Sequence, residues 1–219
     1  MSEKVFEVFR IPIEQVDGNS YIIARGDEGM VIDTGTPGNA QMILKAASSM
    51  NIKISSVIIT HYHLDHTGSL KDLKKSTGAK VFVHELDAPF VSGKEKPPIP
   101  STAPQEAKQA YSWYSPVEPD VILKDGDSIF GFRVIHVPGH TPGSIALYDG
   151  RFLFAGDNLN FRDGRIQGTP AIFDWKQELA RESLKKLVHL DFDILLPGHG
   201  KPVLNSASEQ VRKSLESQL

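Results

Sequence analysis

Short apolar bursts broken by glycine-bearing turns dominate the first third of the chain. VFEVFRI, NSYIIARG and GMVIDTG each read as a strand, and Gly26-Asp27-Glu28-Gly29 offers a hairpin turn between the last two. The period then changes: Met42, Ile43, Ala46, Ala47 and Met50 recur at helical spacing, which predicts a helix over 39–50. SSVIIT reads as a short buried strand, GSLKDLKKSTG as a helix closed by Gly78, and AKVFVHE as the next strand. From 87 to 119 the regularity lapses into a segment holding seven of the 14 prolines, with one helix candidate, EAKQAYSWYS, inside it.

Strands then begin again: VILKDGDSIF, FRVIHVPG, SIALYDG and RFLFAGD, with Asp-Gly turns at 125–126 and 149–150. A helix over 175–190, the strand DILLPG and a terminal helix from about Ser206 complete the series. Strands followed by helices thus occur twice. Two mixed sheets stacked face to face, with helices on the outer faces, would bury such strands on both sides; a single mixed sheet fits the same pattern. The first arrangement, an αββα sandwich of the α/β class, is our expectation. The 219 residues suffice for one large domain. We read 1–219 as that domain, and 87–119 as a proline-rich elaboration near its active-site face.

Composition removes several alternatives. The net charge of −3 gives no general attraction for nucleic acid or an anionic membrane. There is no cysteine, so disulfides, thiolate nucleophiles and cysteine-ligated zinc are excluded, and any metal must be held by histidine and carboxylate. MSEKVFEVFR alternates charged and apolar residues and lacks the core of a secretory signal. No run approaches the roughly 20 apolar residues of a membrane span. A cytoplasmic location is the default expectation, with a small-molecule partner and an oligomeric state that the sequence leaves open.

The chemistry gathers where strands stop. In VIITHYHLDHTG, four ligand-type residues, His61, His63, Asp65 and His66, follow an apolar strand within six positions. Positions two apart in extended chain point to one side, so His61 and His63 can converge. His140 in VPGHTPGS, Asp157 in FAGD and His199 in PGHG each follow an apolar strand as well. Singly these are common turn strings. Together they place five of the eight histidines and two aspartates at strand ends, where loops present functional groups, and that pattern points to metal.

HxHxDH, with Asp33 upstream in VIDTG and GHTPGS, AGD and PGHG downstream, resembles the metallo-β-lactamase-fold superfamily of hydrolases. The resemblance runs from about Asn19 to Pro202. It implies the αββα sandwich and a centre of two divalent metal ions, zinc foremost, with iron or manganese as alternatives. It implies His61, His63 and His140 as ligands of one metal, Asp65, His66 and His199 of the other, and Asp157 as the bridge. Asp65 would also orient the attacking hydroxide or accept its proton, and Asp33 would hydrogen-bond a ligand histidine.

Within the superfamily the core is similar to glyoxalase II, although only 20 residues follow His199. The secreted β-lactamases lack the aspartate that Asp157 represents. The RNA-processing branch needs an inserted domain or basic surface. Lactonases carry a tyrosine between the bridging aspartate and the last histidine, where this chain has Phe161, Phe173 and Trp175. Flavodiiron proteins replace the histidine at 63 by glutamate. The expected activity is hydrolysis of an ester, thioester or lactone, with Tyr111, Trp113, Tyr114 and the loop after Asp157 facing the substrate. A mononuclear iron persulfide dioxygenase is the rival; a phosphodiesterase or nuclease and a non-catalytic binding protein rank lower.

Overall fold

A computed structural model describes residues 7–12, 18–99, 103–110 and 115–215. Six strands form the first sheet in the order β1-β2-β3-β4-β5-β6: β1 (Glu7–Pro12), β2 (Asn19–Arg25), β3 (Glu28–Ile32), β4 (Lys53–Ile59), β5 (Lys80–His84) and β6 (Val121–Leu123). β1 to β3 are an antiparallel meander, and β3 to β6 run parallel. The second sheet has the order β13-β10-β9-β8-β7: β7 (Ser128–Ile129), β8 (Phe132–His136), β9 (Ile145–Tyr148), β10 (Phe152–Gly156) and β13 (Ile194–Pro197). A separate ribbon pairs β11 (Asn160–Arg162) with β12 (Arg165–Gln167), an element that carries no apolar run and was not expected.

The strand pattern explains the layering. Along β2, Tyr21 and Ile23 enter a core between the sheets, while Ile22 and Ala24 face the opposite way. β10 alternates likewise, with Phe152 and Phe154 between the sheets and Leu153 and Ala155 turned outward. Both sets are buried, because α1 (Ala40–Ser49) and α3 (Leu70–Thr77) cover the first sheet, and α6 (Gln177–Val188) and α7 (Ala207–Leu215) cover the second. Two-sided burial is why these strands read as continuous apolar runs. Each fully buried Phe, Leu or Ile side chain contributes roughly 1.5–3 kcal/mol. The αββα sandwich is therefore the fold, and the single mixed sheet is not.

Local differences from expectation have local causes. VILKDGDSIF is split: β6 ends in one sheet and β7 starts in the other, because the Lys124 N–H bonds the Asp127 carboxylate (2.8 Å) and turns the chain between layers. The helix expected over 68–78 is preceded by a separate turn, α2 (Leu64–Thr67), on which Asp65 and His66 lie. Within 87–119 the structure has α4 (Ala88–Val91) and α5 (Gln105–Ala110). Tyr111, Trp113 and Tyr114 lie outside the described residues. No helix among the described residues is long and apolar enough to cross a membrane.

Candidate metal centre

The carboxyl ends of β3, β4, β8, β10 and β13 lead, directly or through a short loop, to Asp33, His61, His140, Asp157 and His199. All of these segments meet at one edge of the sandwich. β4 delivers His61; His63 is still extended (φ −61°, ψ 151°) and caps α2, whose single turn carries Asp65 and His66. The chain thus changes from strand to helix inside the motif, and this turns the four side chains toward a common volume.

Three overlapping groups result, each with its ligand atoms within 4.8 Å of one another: His61, His63 and His140; His61, His66 and Asp157; and Asp65, His66 and His199. The Nε2 atoms of His61 and His140 stand 3.2 Å apart. His66 Nε2 is 3.2 Å from Asp157 Oδ1, and His199 Nε2 is 3.2 Å from both Asp65 Oδ2 and Asp157 Oδ2. Two ligands on one tetrahedral cation, with metal–nitrogen bonds of about 2.0–2.1 Å, lie about 3.3 Å apart. The buried His66 Nε2 and Asp157 Oδ1 face each other without a hydrogen bond to any described residue. Buried polar atoms without a hydrogen bond are costly; this close pair needs a proton or a cation between its members, and a shared cation satisfies both. The residues fit a metal centre, and the donor set of imidazole and carboxylate suits zinc, iron or manganese.

Hydrogen bonds behind the cluster orient its rings. His66 Nδ1–H donates to Asp33 Oδ2 at 2.7 Å, and the Thr60 hydroxyl donates to the same oxygen at 2.7 Å. Since that hydroxyl hydrogen is engaged, Thr60 Oγ1 accepts from His61 Nδ1–H at 3.1 Å. Asp33 therefore fixes one histidine directly and a second through Thr60, leaving both Nε2 lone pairs turned into the cluster. The Thr60 amide completes the contact to Asp33 Oδ1 at 2.8 Å. His140 Nδ1 donates to the buried Asp174 at 3.3 Å. Neither Thr60 nor Asp174 was anticipated: Thr60 reads as the end of a strand, and nothing in IFDW marks a partner for a residue 34 positions earlier.

Charge is divided unevenly. Burial, reinforced by the neighbouring imidazoles, holds His61 well below the usual range and His63 at about 3, so these two rings are neutral. Burial opposes protonation of His199 too, but Asp157 and Asp65 outweigh it and push the group up to about 10. Burial would likewise raise Asp65, yet His66 and His199 hold it below the ordinary carboxylate range. In the absence of cations, protons on the imidazoles thus balance the carboxylates, as expected of a site whose ligands exchange protons for metal.

The loop bearing His199 is pinned from the opposite sheet. Asn19 donates through Nδ2 to the carbonyls of Pro197 (3.0 Å) and Gly200 (2.9 Å), and the Tyr21 hydroxyl donates to Pro197 (2.7 Å). Gly198 is required by proximity, since a Cβ there would lie 2.3 Å from Asp157 Oδ1. Of the histidines outside the cluster, His84 and His136 stack at 4.1 Å, and His136 Nε2 donates to the Pro142 carbonyl in the His140 loop (2.9 Å). A cavity of about 570 Å³, lined by His140, Asn158, Thr169, Asp174, Gln177 and Arg181 among others, adjoins the centre. The loop after Asp157 forms one of its walls.

The family model of the metallo-beta-lactamase superfamily matches residues 13–199. The chain belongs to that superfamily. It is 31% identical over 202 residues to the probable metallo-hydrolase YflN of Bacillus subtilis, covering 80% of this chain and 76% of that one. It is 30% identical to the hydroxyacylglutathione hydrolase of Methylobacillus flagellatus over 81% of this chain, but only 62% of that enzyme is spanned. Among solved structures, TTHA1623 in a di-iron-bound form superposes with a TM-score of 0.71 at 27% identity, over 92% of this chain and 96% of that one. Its superfamily membership and its hydrolase relatives place the chain among metal-binding proteins whose members are mostly hydrolases.

Proposed function

We propose that the protein is a dinuclear metal-dependent hydrolase of a small ester, thioester or lactone. The observation that carries this reading is the overlap of the ligand groups. Asp157 lies within reach of His61 from the three-histidine side and of His66 and His199 from the other, which suits a carboxylate shared by two cations. Two divalent metal ions, zinc or iron, would supply a water deprotonated near neutrality and a Lewis acid for the substrate carbonyl. His61, His63 and His140 would hold one, and Asp65, His66 and His199 the other.

The chain's own groups divide the remaining work. Asp65 is 28% exposed against 8% for Asp157, so it is the carboxylate a substrate or water can reach. It would accept a proton from the attacking water and return it to the leaving oxygen or sulfur. Asp33 and Asp174 keep the ligand rings oriented while this happens. The relationship to hydroxyacylglutathione hydrolase supports thioesters as the first substrates to try, and the di-iron-bound relative supports iron beside zinc.

The test is a panel of thioesters, lactones and phosphodiesters with metal-reconstituted protein, alongside a His61→Ala, His63→Ala variant. Turnover of a carbonyl substrate that the variant loses is the expected result. No turnover above the variant on any compound refutes the reading. One iron per chain with oxygen uptake on a persulfide would replace it with the dioxygenase.

A further inference from the structure

Asp87 is wholly buried at the start of α4, yet it makes no side-chain bond to that helix. Its carboxylate reaches across to the two loops that carry the three-histidine group. Oδ2 accepts the Tyr62 amide N–H at 3.0 Å and the Thr141 hydroxyl at 2.8 Å, and Oδ1 accepts the Gly143 amide N–H at 2.6 Å. Tyr62 stands between His61 and His63, and Thr141 follows His140. One carboxylate thus joins a loop of the first sheet to a loop of the second, on both sides of the His61–His63–His140 group.

The approach is close by construction. A Cβ on Gly143 would lie 2.6 Å from the Asp87 nitrogen and 2.7 Å from Oδ1, so no side chain fits there. The Thr141 hydroxyl also lies 2.8 Å from Ser144 Oγ, and with its own hydrogen given to Asp87 it accepts the serine's. The second group, Asp65, His66 and His199, has no bond to Asp87; its orientation comes from Asp33 and the Asn19 clasp. A bond between the Ile145 amide and the Thr60 carbonyl (3.0 Å) fixes the outer ends of the two loops, and Asp87 spans their ligand-bearing inner part.

We propose that Asp87 is a positioning residue for one half of the centre: by setting the distance between the two loops it sets the metal affinity of the His61–His63–His140 group and leaves the other half unchanged. This rests on the two-metal reading of the cluster. An asparagine would put an amide N–H against a backbone N–H or the threonine hydroxyl, so at least one of the three contacts fails.

The experiment is a zinc titration of chelator-stripped protein, followed calorimetrically, with His63→Ala and Asp65→Ala assigning each binding event to its half. For Asp87→Asn we expect the event lost in His63→Ala to weaken by about 10- to 100-fold, the range for partners of ligand residues, with the other within threefold of wild type. Thr141→Val should weaken the same event by less, and Thr141→Ser, which restores the hydroxyl, should recover it; this pair carries the test if Asp87→Asn does not fold. Unchanged affinities overturn the proposal and leave the two-metal reading intact. Equal weakening of both events, together with a lower melting temperature of the metal-free protein, also overturns it, since Asp87 would then be a general fold contact. A wild type with a single event belonging to the three-histidine half overturns the two-metal reading, while the Asp87→Asn shift of that event still decides the role of Asp87. A wild type that binds no zinc overturns both.

Discussion

Replacing Asp33 by asparagine removes one charge and one acceptor from beneath the centre while keeping the size of the side chain. The backbone at Asp33 has φ +56°, a region asparagine tolerates about as well as aspartate, so strain does not confuse the result. Two orientations of the new amide are available. With its oxygen toward His66 Nδ1–H and the Thr60 hydroxyl, the NH₂ faces the Thr60 amide N–H, and a buried donor loses its partner at a cost of about 1–3 kcal/mol. With its oxygen toward the Thr60 amide, the NH₂ faces His66 Nδ1. The ring must then carry its proton on Nε2, the atom 3.2 Å from Asp157, which removes that lone pair from the metal. Either way metal affinity falls, by about 10- to 100-fold for loss of such an orienting partner, or about 1.4–2.7 kcal/mol. Competition of the metal-loaded protein against a chelator of known affinity measures this directly, and thermal melting of the stripped protein measures the cost of the orphaned donor. A variant that binds metal within threefold of wild type would refute the argument that Asp33 sets the tautomer of His66.

Other consequences are independent of that network. Phe154 is buried between the sheets, edge-on to Tyr21 (5.4 Å) and Phe132 (5.5 Å), so Phe154→Ala should cost about 3–5 kcal/mol in urea denaturation; a loss below about 1 kcal/mol would mean the layers collapse onto the cavity. Gly198→Ala drives a methyl into Asp157, and elemental analysis should find metal lost from a protein whose circular dichroism is unchanged; full metal content would show that the loop shifts freely. Burial, aided by His136, holds His84 at about 4. The folded state thus binds fewer protons than the unfolded chain between that value and about 6.5, and the contribution of His84 to stability is complete above about pH 6.5 and fades toward pH 4. His84→Gln should flatten the fall in stability between pH 6.5 and 4.5, and an unchanged pH slope would assign that fall to other groups.

Periodicity exposed the apolar strands and the amphipathic helices because burial on one or both faces leaves a repeat of two or 3.6 that any window of sequence displays. That was enough for the strand series, for α1, α6 and α7, and for the spacing of His61, His63, Asp65 and His66. It could not divide VILKDGDSIF between two sheets, because both halves are apolar and the turn looks like any hairpin. Nor could it find the β11–β12 ribbon, whose strands have no continuous apolar face.

The ligand-type residues were legible because their chemistry is rare in such strand-end positions and the superfamily motif is dense around them. Their supports were not. Thr60, Asp87, Asp174 and Asn19 are ordinary residues whose roles depend on what the fold brings against them from 25 to 181 positions away. The sequence by itself determined which side chains are able to hold metal and which strands carry them to an edge. Only the tertiary structure decided that these edges coincide, which ring nitrogen faces the centre, and which carboxylate joins the loops. A hydrogen bond is directional and short-ranged, whereas a hydrophobic pattern needs only the right side of an element.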